Sequence, residues 1–143
     1  MPIWHGEIDL AAMRVRSRDT MMEATGIELV ELGDDFLTGR MPVDHRTRQP
    51  MGLLHGGASV ALAETLASLA AFFCVDRDKF ACVGQEINAN HLRSVAKGWV
   101  TGIARPYHIG RTSQVWEVRI TDERGKLVCV SRCTIAVIAK PGK

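Results

Sequence analysis

The longest apolar stretch of the chain runs from Ala58 to Cys74, where nearly every residue is small or apolar. A helix that is apolar all round is a buried helix, so we predict a central helix over residues 55–74. Glu64 is the only ionisable side chain in this stretch before the terminal cysteine. Burying an unpaired carboxylate is costly or forces it to take up a proton, so a glutamate at this position requires an explanation.

The residues before the central helix predict a helical lead-in over residues 1–25, followed by a β-hairpin. Asp9 can cap the first helical turn, and Thr20 with Glu23 forms a capping-box pattern that stops at Gly26. Residues 27–43 contain two strand-like runs on either side of the polar turn 33–35. The irregular segment 44–54 then leads into the central helix, and we interpret it as a loop.

The pattern after the central helix predicts four strands, at residues 81–92, 98–105, 114–121 and 126–138, joined as an antiparallel meander. Trp116, Val118 and Ile120 share one face of the third strand, so one side of the sheet is buried there. The last strand is apolar on both faces, which predicts a central or covered position. A curved antiparallel sheet buries a long apolar helix most simply by wrapping around it. We therefore predict an α+β chain with a hotdog fold of about five or six strands.

Composition narrows the function classes. The 143 residues suit one domain, 1–143, and a net charge of +2 argues against a nucleic-acid partner. The alanine-rich helix with a mid-helix glutamate is a poor membrane span. Four cysteines without C-x-x-C spacing and no signal-peptide pattern predict a reduced, cytoplasmic protein with buried thiols. The five histidines are scattered, so no metal site is expected.

The start of the central helix and Glu64 are the candidate chemical groups. Gly56 and Gly57 leave the unpaired N–H groups of the first turn open to a ligand, where the helix dipole favours negative charge. Ser68 lies four residues after Glu64 on the same helix face. The rise from Gly56 to Glu64 is roughly 12 Å, too far for both to reach one carbonyl within a chain. Two copies with antiparallel helices would bring them together. The alternative is a structural Glu64 that caps buried backbone or pairs with an arginine.

Three segments carry a family resemblance. Residues 49–57 read Q-P-M-G-L-L-H-G-G and are followed by the spaced Glu64 and Ser68, residues 86–94 read E-I-N-A-N-H-L-R-S, and residues 106–111 read P-Y-H-I-G-R. Together these segments resemble the hotdog-fold acyl-CoA thioesterases of the aryl-CoA and phenylacetate-pathway type. The resemblance covers residues 27–138 and is greatest to bacterial 1,4-dihydroxy-2-naphthoyl-CoA hydrolases.

This resemblance implies hydrolysis of an aromatic acyl-CoA thioester (benzoyl-, hydroxyphenylacetyl- or 1,4-dihydroxy-2-naphthoyl-like) to the free acid and CoA, with CoA as part of the substrate and no separate cofactor. The Gly56 N–H would polarise the carbonyl, and Glu64 would act either as nucleophile or as general base on water. Gln49 and His55 would orient the thioester or the water, and Ser68 would steady the attacking group. The implied contacts of the substrate and its CoA are Gly84, His91, Leu92, Arg93, Ser94, His108, Ile109, Gly110, Arg111, Thr112 and Ser113.

The assembly implied by the resemblance is a homodimer with composite sites, as a dimer of dimers. Two other function classes stay open: a hotdog dehydratase or hydratase acting on acyl thioesters, and a non-catalytic acyl-CoA-binding protein. The acyl group is also open, because Met51, Leu54, Phe72 and Phe73 suit an aromatic group as well as a medium alkyl chain.

Overall fold

The computed structural model describes residues 1–141 and has one six-stranded antiparallel sheet packed against one long helix. The elements in chain order are α1 (Leu10–Arg16), α2 (Met21–Thr25), β1 (Glu28–Leu32), β2 (Leu37–Val43), α3 (Gly56–Phe73), β3 (Phe80–His91), β4 (Gly98–Ile109), β5 (Ser113–Thr121) and β6 (Leu127–Ala139). The predicted hotdog fold is confirmed, and the predicted central helix corresponds to α3 with its caps His55 and Cys74.

The lead-in consists of two separate short helices. The Asp9 carboxylate accepts from the Ala12 N–H at the start of α1, as predicted. Thr20 caps α2 through the Met22 N–H, and α2 ends at Gly26 in the left-handed conformation (φ 77°). The Glu23 carboxylate accepts from the Asp19 N–H rather than from that of Thr20, so the capping box closes one residue earlier than its pattern predicts.

Helix α3 packs on the sheet through a face of alanine and leucine. The side chain of Leu66 is fully buried, and it lies over Gly39 in β2 and Gly102 in β4, which are directly paired. A Cβ atom on either glycine would come within 2.7 Å or 2.8 Å of a Leu66 methyl group. The paired glycines therefore make the room that lets the helix approach the middle of the sheet closely.

The strand order is β1-β2-β4-β5-β6-β3, and this corrects the predicted meander. The meander holds from β4 to β6, but β3 pairs with β6 instead of β4. The connection 92–97 spans roughly 20 Å when extended, which exceeds the roughly 14 Å across three strand spacings. The short connection between β3 and β4 is therefore compatible with two other strands lying between them, and the prediction that they are neighbours was wrong. Strand β6 is flanked on both sides, as its apolar pattern predicts.

Strand β3 forms one edge of the sheet and exposes most of its second half. Helix α3 has the length and mean hydropathy (1.4) of a membrane-spanning helix, yet it packs against five of the six strands. That packing buries eight of the 18 residues of α3, so the predicted burial on all sides is not reached within one chain.

The four cysteines are free thiols in this structure. Cys129 and Cys133 are buried, as expected, whereas Cys74 and Cys82 are only partly buried. Burial raises the pKa of Cys133 to about 12, so this thiol is a packing group rather than a nucleophile at neutral pH.

Candidate active site

The start of α3 presents two hydrogen-bond donors. His55 is the N-cap, and its Nδ1 accepts from the Gly57 N–H at 2.8 Å. A neutral imidazole that accepts at Nδ1 carries its proton on Nε2, so the Nε2–H is available to a ligand. Within residues 1–141 the Gly56 N–H donates to no protein acceptor. These groups at a helix N-terminus can stabilise negative charge on an oxygen atom.

Gln49 is held beside this helix start by a tight loop. Its backbone N–H donates to the Leu53 carbonyl at 2.8 Å, and its backbone carbonyl accepts from the Gly52 N–H at 2.9 Å. Gly52 has a φ of 82°, a conformation that glycine adopts readily. The Gln49 side-chain oxygen accepts from the Met51 N–H. Among residues 1–141 the side-chain amide N–H groups donate to no protein acceptor, so they can donate to a bound ligand.

A cavity of about 400 Å³ lies between this loop, the start of α3 and the end of β3. It gathers six of the predicted residues, namely Gln49, Gly56, His91, Leu92, Arg93 and Ser94. The His91 ring lies on Gly56, because its Nε2 is only 2.9 Å from where a Gly56 Cβ would be. Sequence reasoning missed Ser59, which also lines the cavity; its spacing of three residues from Gly56 on a helix was the available signal.

Glu64 lies elsewhere, two turns along α3, with its carboxylate against Gly84 of β3. A Cβ atom on Gly84 would lie 2.1 Å from the Glu64 Oε1. Sequence reasoning gave the space above Gly84 to the ligand, whereas in this structure the Glu64 carboxylate occupies it. Among residues 1–141 the carboxylate has neither a hydrogen bond nor an ion pair, and the side chain is half-buried. This geometry gives no support to a structural, arginine-paired glutamate.

Ser68 lines a different hollow, of about 350 Å³, between α3 and the lead-in helices. The predicted 108–113 segment is the hairpin that joins β4 to β5. Strand register places this hairpin level with the Glu64 carboxylate, because Ser113 and Val83 both pair with Ala136.

The predicted site residues therefore form two separate groups within one chain. The helix-start group consists of Gln49, His55, Gly56 and residues 91–94. The mid-helix group consists of Glu64, Ser68, Gly84 and residues 108–113. From Gly84 to His91, opposite Ile135 and Cys129 of β6, the strand rises by roughly 20 Å, and from Gly56 to Glu64 the helix rises by roughly 12 Å. The two groups cannot act on the same thioester carbonyl within one chain.

Positive charge accompanies the helix-start group. Asp122 begins the turn between β5 and β6, and its pKa is lowered chiefly by the Lys126 backbone N–H, with a contribution from the positive charge of Arg93. Arg124 and Lys126 belong to the same turn. Sequence reasoning missed these two residues, because only the register of His91 opposite Cys129 shows that the turn is next to residues 91–94.

Comparison with known proteins identifies the class. The model of the thioesterase superfamily matches residues 51–129. The proofreading thioesterase EntH of Cronobacter turicensis is 51% identical over 136 residues, covering 95% of this chain and 98% of that protein. The 1,4-dihydroxy-2-naphthoyl-CoA hydrolase of Escherichia coli strain K12 is 46% identical over 136 residues, covering 95% and 99%.

Among solved structures, a mutant of thioesterase PA1618 from Pseudomonas aeruginosa superimposes with a TM-score of 0.95 at 45% identity, covering 96% of this chain and 99% of that one. The chain belongs to the thioesterase superfamily, and it is a thioester hydrolase. The resemblance described from the sequence is confirmed at this level.

Proposed function

We propose that the protein hydrolyses an aromatic acyl-CoA thioester to the free acid and CoA, at sites shared between two copies of the chain. One relative is named for a naphthoyl-CoA substrate, which supports an aromatic acyl group. Another is named a proofreading thioesterase, so the acyl preference is the part of the proposal that most needs measurement.

The carbonyl oxygen of the thioester accepts from the Gly56 N–H and the His55 Nε2–H, and the Gln49 amide orients the acyl group or the water. Negative charge that develops on this oxygen is stabilised by the helix dipole. Glu64 then acts in one of two ways. Its carboxylate attacks the carbonyl carbon, expels the CoA thiolate and forms a mixed anhydride that water hydrolyses, or it accepts a proton from the water that attacks. Ser68, one turn further along α3, steadies the attacking group.

The separation of the helix-start group from the mid-helix group is the observation that carries the proposal. Strand β3 is a sheet edge with unpaired backbone groups, and such an edge can pair with a second copy. Antiparallel pairing centred on Asn88, with Gln85 bulged as it is in the ladder with β6, sets Gly84 of one copy opposite His91 of the other. The same two-fold axis relates both sites, so each dimer has two of them.

The CoA portion would lie along the helix-start group of one copy and the 108–113 hairpin of the other. His91, Arg93, His108 and Arg111 offer charge and donors for its phosphates, and Leu92, Ser94, Ile109, Gly110, Thr112 and Ser113 line its path. Phosphate contacts of this kind are charge-assisted hydrogen bonds. A dimer of dimers and a cytoplasmic location stay predictions.

The test is Glu64→Gln, which keeps the size of the side chain and removes its basic oxygen. We expect kcat to fall by roughly a thousandfold or more while the CoA ester still binds. The substrates are benzoyl-, phenylacetyl-, naphthoyl- and alkyl-CoA esters, and Glu7→Gln in the N-terminal segment is the matched control. Activity within about tenfold of the parent enzyme would remove Glu64 from the mechanism. Preference for alkyl esters would overturn the aromatic assignment alone.

A further inference from the structure

The lead-in helices form a methionine-rich wall next to the mid-helix group. The hollow of about 350 Å³ lies between α3 and the lead-in, and its walls are chiefly apolar. Its lining side chains include Met13, Met21, Met22, Thr65, Ser68 and Leu69, and the polar Arg16, Ser17 and Thr20 complete the lining. Pockets for small organic ligands begin at about 300 Å³, so the hollow has room for one acyl group but not for CoA as well.

The hollow adjoins the proposed catalytic carboxylate. Ser68 follows Glu64 by four residues, so their side chains neighbour each other on the surface of α3. A thioester whose carbonyl carbon is next to Glu64 directs its acyl group either back toward its own CoA portion or onward past Ser68. The second direction leads into this chiefly apolar hollow.

The methionines of this wall differ in what they do for the fold. Met13 and Met22 pack against the core, and the Ser17 hydroxyl donates to the Met22 sulfur at 3.4 Å. Met21 lies on the rim and remains 63% exposed. Met21 is a large apolar side chain on the wall of an apolar hollow, and it packs little against the rest of the protein. Its side chain is therefore available to contact a ligand. Methionine is flexible and polarisable, and it packs well on aromatic rings.

We infer that α1 and α2 form the acyl pocket, with Met21 as a residue that selects for a bulky aromatic acyl group. This rests on the proposed function, because the position of Glu64 at the reacting carbon sets where the acyl group begins. The lead-in is then a specificity element, in addition to covering the long helix.

The experiment compares kcat/KM for naphthoyl-CoA and acetyl-CoA in Met21→Ala and Met21→Trp. Removing most of the Met21 side chain should lower kcat/KM for naphthoyl-CoA by about tenfold and leave acetyl-CoA unchanged, since acetyl does not reach the hollow. Tryptophan fills the hollow and should also lower the naphthoyl value selectively. Val15→Ala on α1 is the matched control, because Val15 is 59% exposed and does not line the hollow.

Equal effects on both esters, or no effect on either, with Glu64-dependent activity intact, would overturn the acyl pocket while leaving the proposed function standing. Loss of the Glu64 dependence itself would instead overturn the proposed function. An unchanged melting temperature in both Met21 variants shows that the fold is preserved, which the exposure of Met21 leads us to expect.

Discussion

The contact between Gly84 and Glu64 yields a test of where the attacking carboxylate must be. Alanine at position 84 would bring a Cβ atom to 2.1 Å from the Glu64 Oε1, whereas ordinary contact begins near 3.4 Å. The carboxylate must therefore retreat by about 1 Å. Misplacing a reacting group by about this distance costs roughly a hundredfold in rate. We expect Gly84→Ala to lower kcat by about that factor.

Stability should change little in the same variant. The atom that must move is the end of a flexible side chain, and alanine is tolerated in a strand at least as well as glycine. The assay is steady-state hydrolysis of an aryl-CoA ester together with thermal unfolding. The control is a double-mutant cycle, in which Gly84→Ala added to Glu64→Gln should have almost no further effect. A stable Gly84→Ala enzyme with kcat within about threefold of the parent would refute the reasoning.

Two further predictions concern the helix start and the CoA contacts. Gly56→Pro removes the backbone N–H and should lower kcat by about a hundredfold or more. Gly56→Ala adds the same Cβ atom near His91 but keeps the N–H, so it should retain most of the activity. Equal activity of the two variants at unchanged melting temperature would exclude the Gly56 N–H as the donor to the carbonyl oxygen. Alanine at Arg93 or Arg111 should raise KM by a similar factor for every acyl group, with a smaller effect at high salt, and a factor that depends on the acyl group would move these residues to the acyl pocket.

The sequence was most informative where one short segment decides the structure. The apolar run predicted α3 nearly to the residue, although within one chain the helix buries only the face that packs on the sheet. Glu64 is the single glutamate within that run, and this isolation identified it as a candidate chemical group. Its carboxylate has no hydrogen-bond or ion-pair partner among the described residues.

Information on the sheet was less complete, because strand order depends on contacts between distant residues. The residue pattern of β3 did not indicate that its partner is β6. The six-residue connection from β3 to β4 is long enough for β3 to pair either with β4 or with β6. Strand register could not be predicted from the sequence, so the position of Arg124 and Lys126 beside residues 91–94 was missed. For the same reason, the contact between Gly84 and the Glu64 carboxylate was not predicted.

Mixing two inactive chains tests the shared site most directly. One chain carries Gln49→Ala with His55→Ala, the other carries Glu64→Ala, and each should be nearly inactive alone. After unfolding and refolding together in equal amounts, about half the dimers are mixed, and each mixed dimer holds one intact site and one with every lesion. The account predicts recovery of roughly a quarter of wild-type activity. If mass measurement verifies the mixed dimers and activity stays at the level of the separate variants, the site lies within one chain and the account is contradicted.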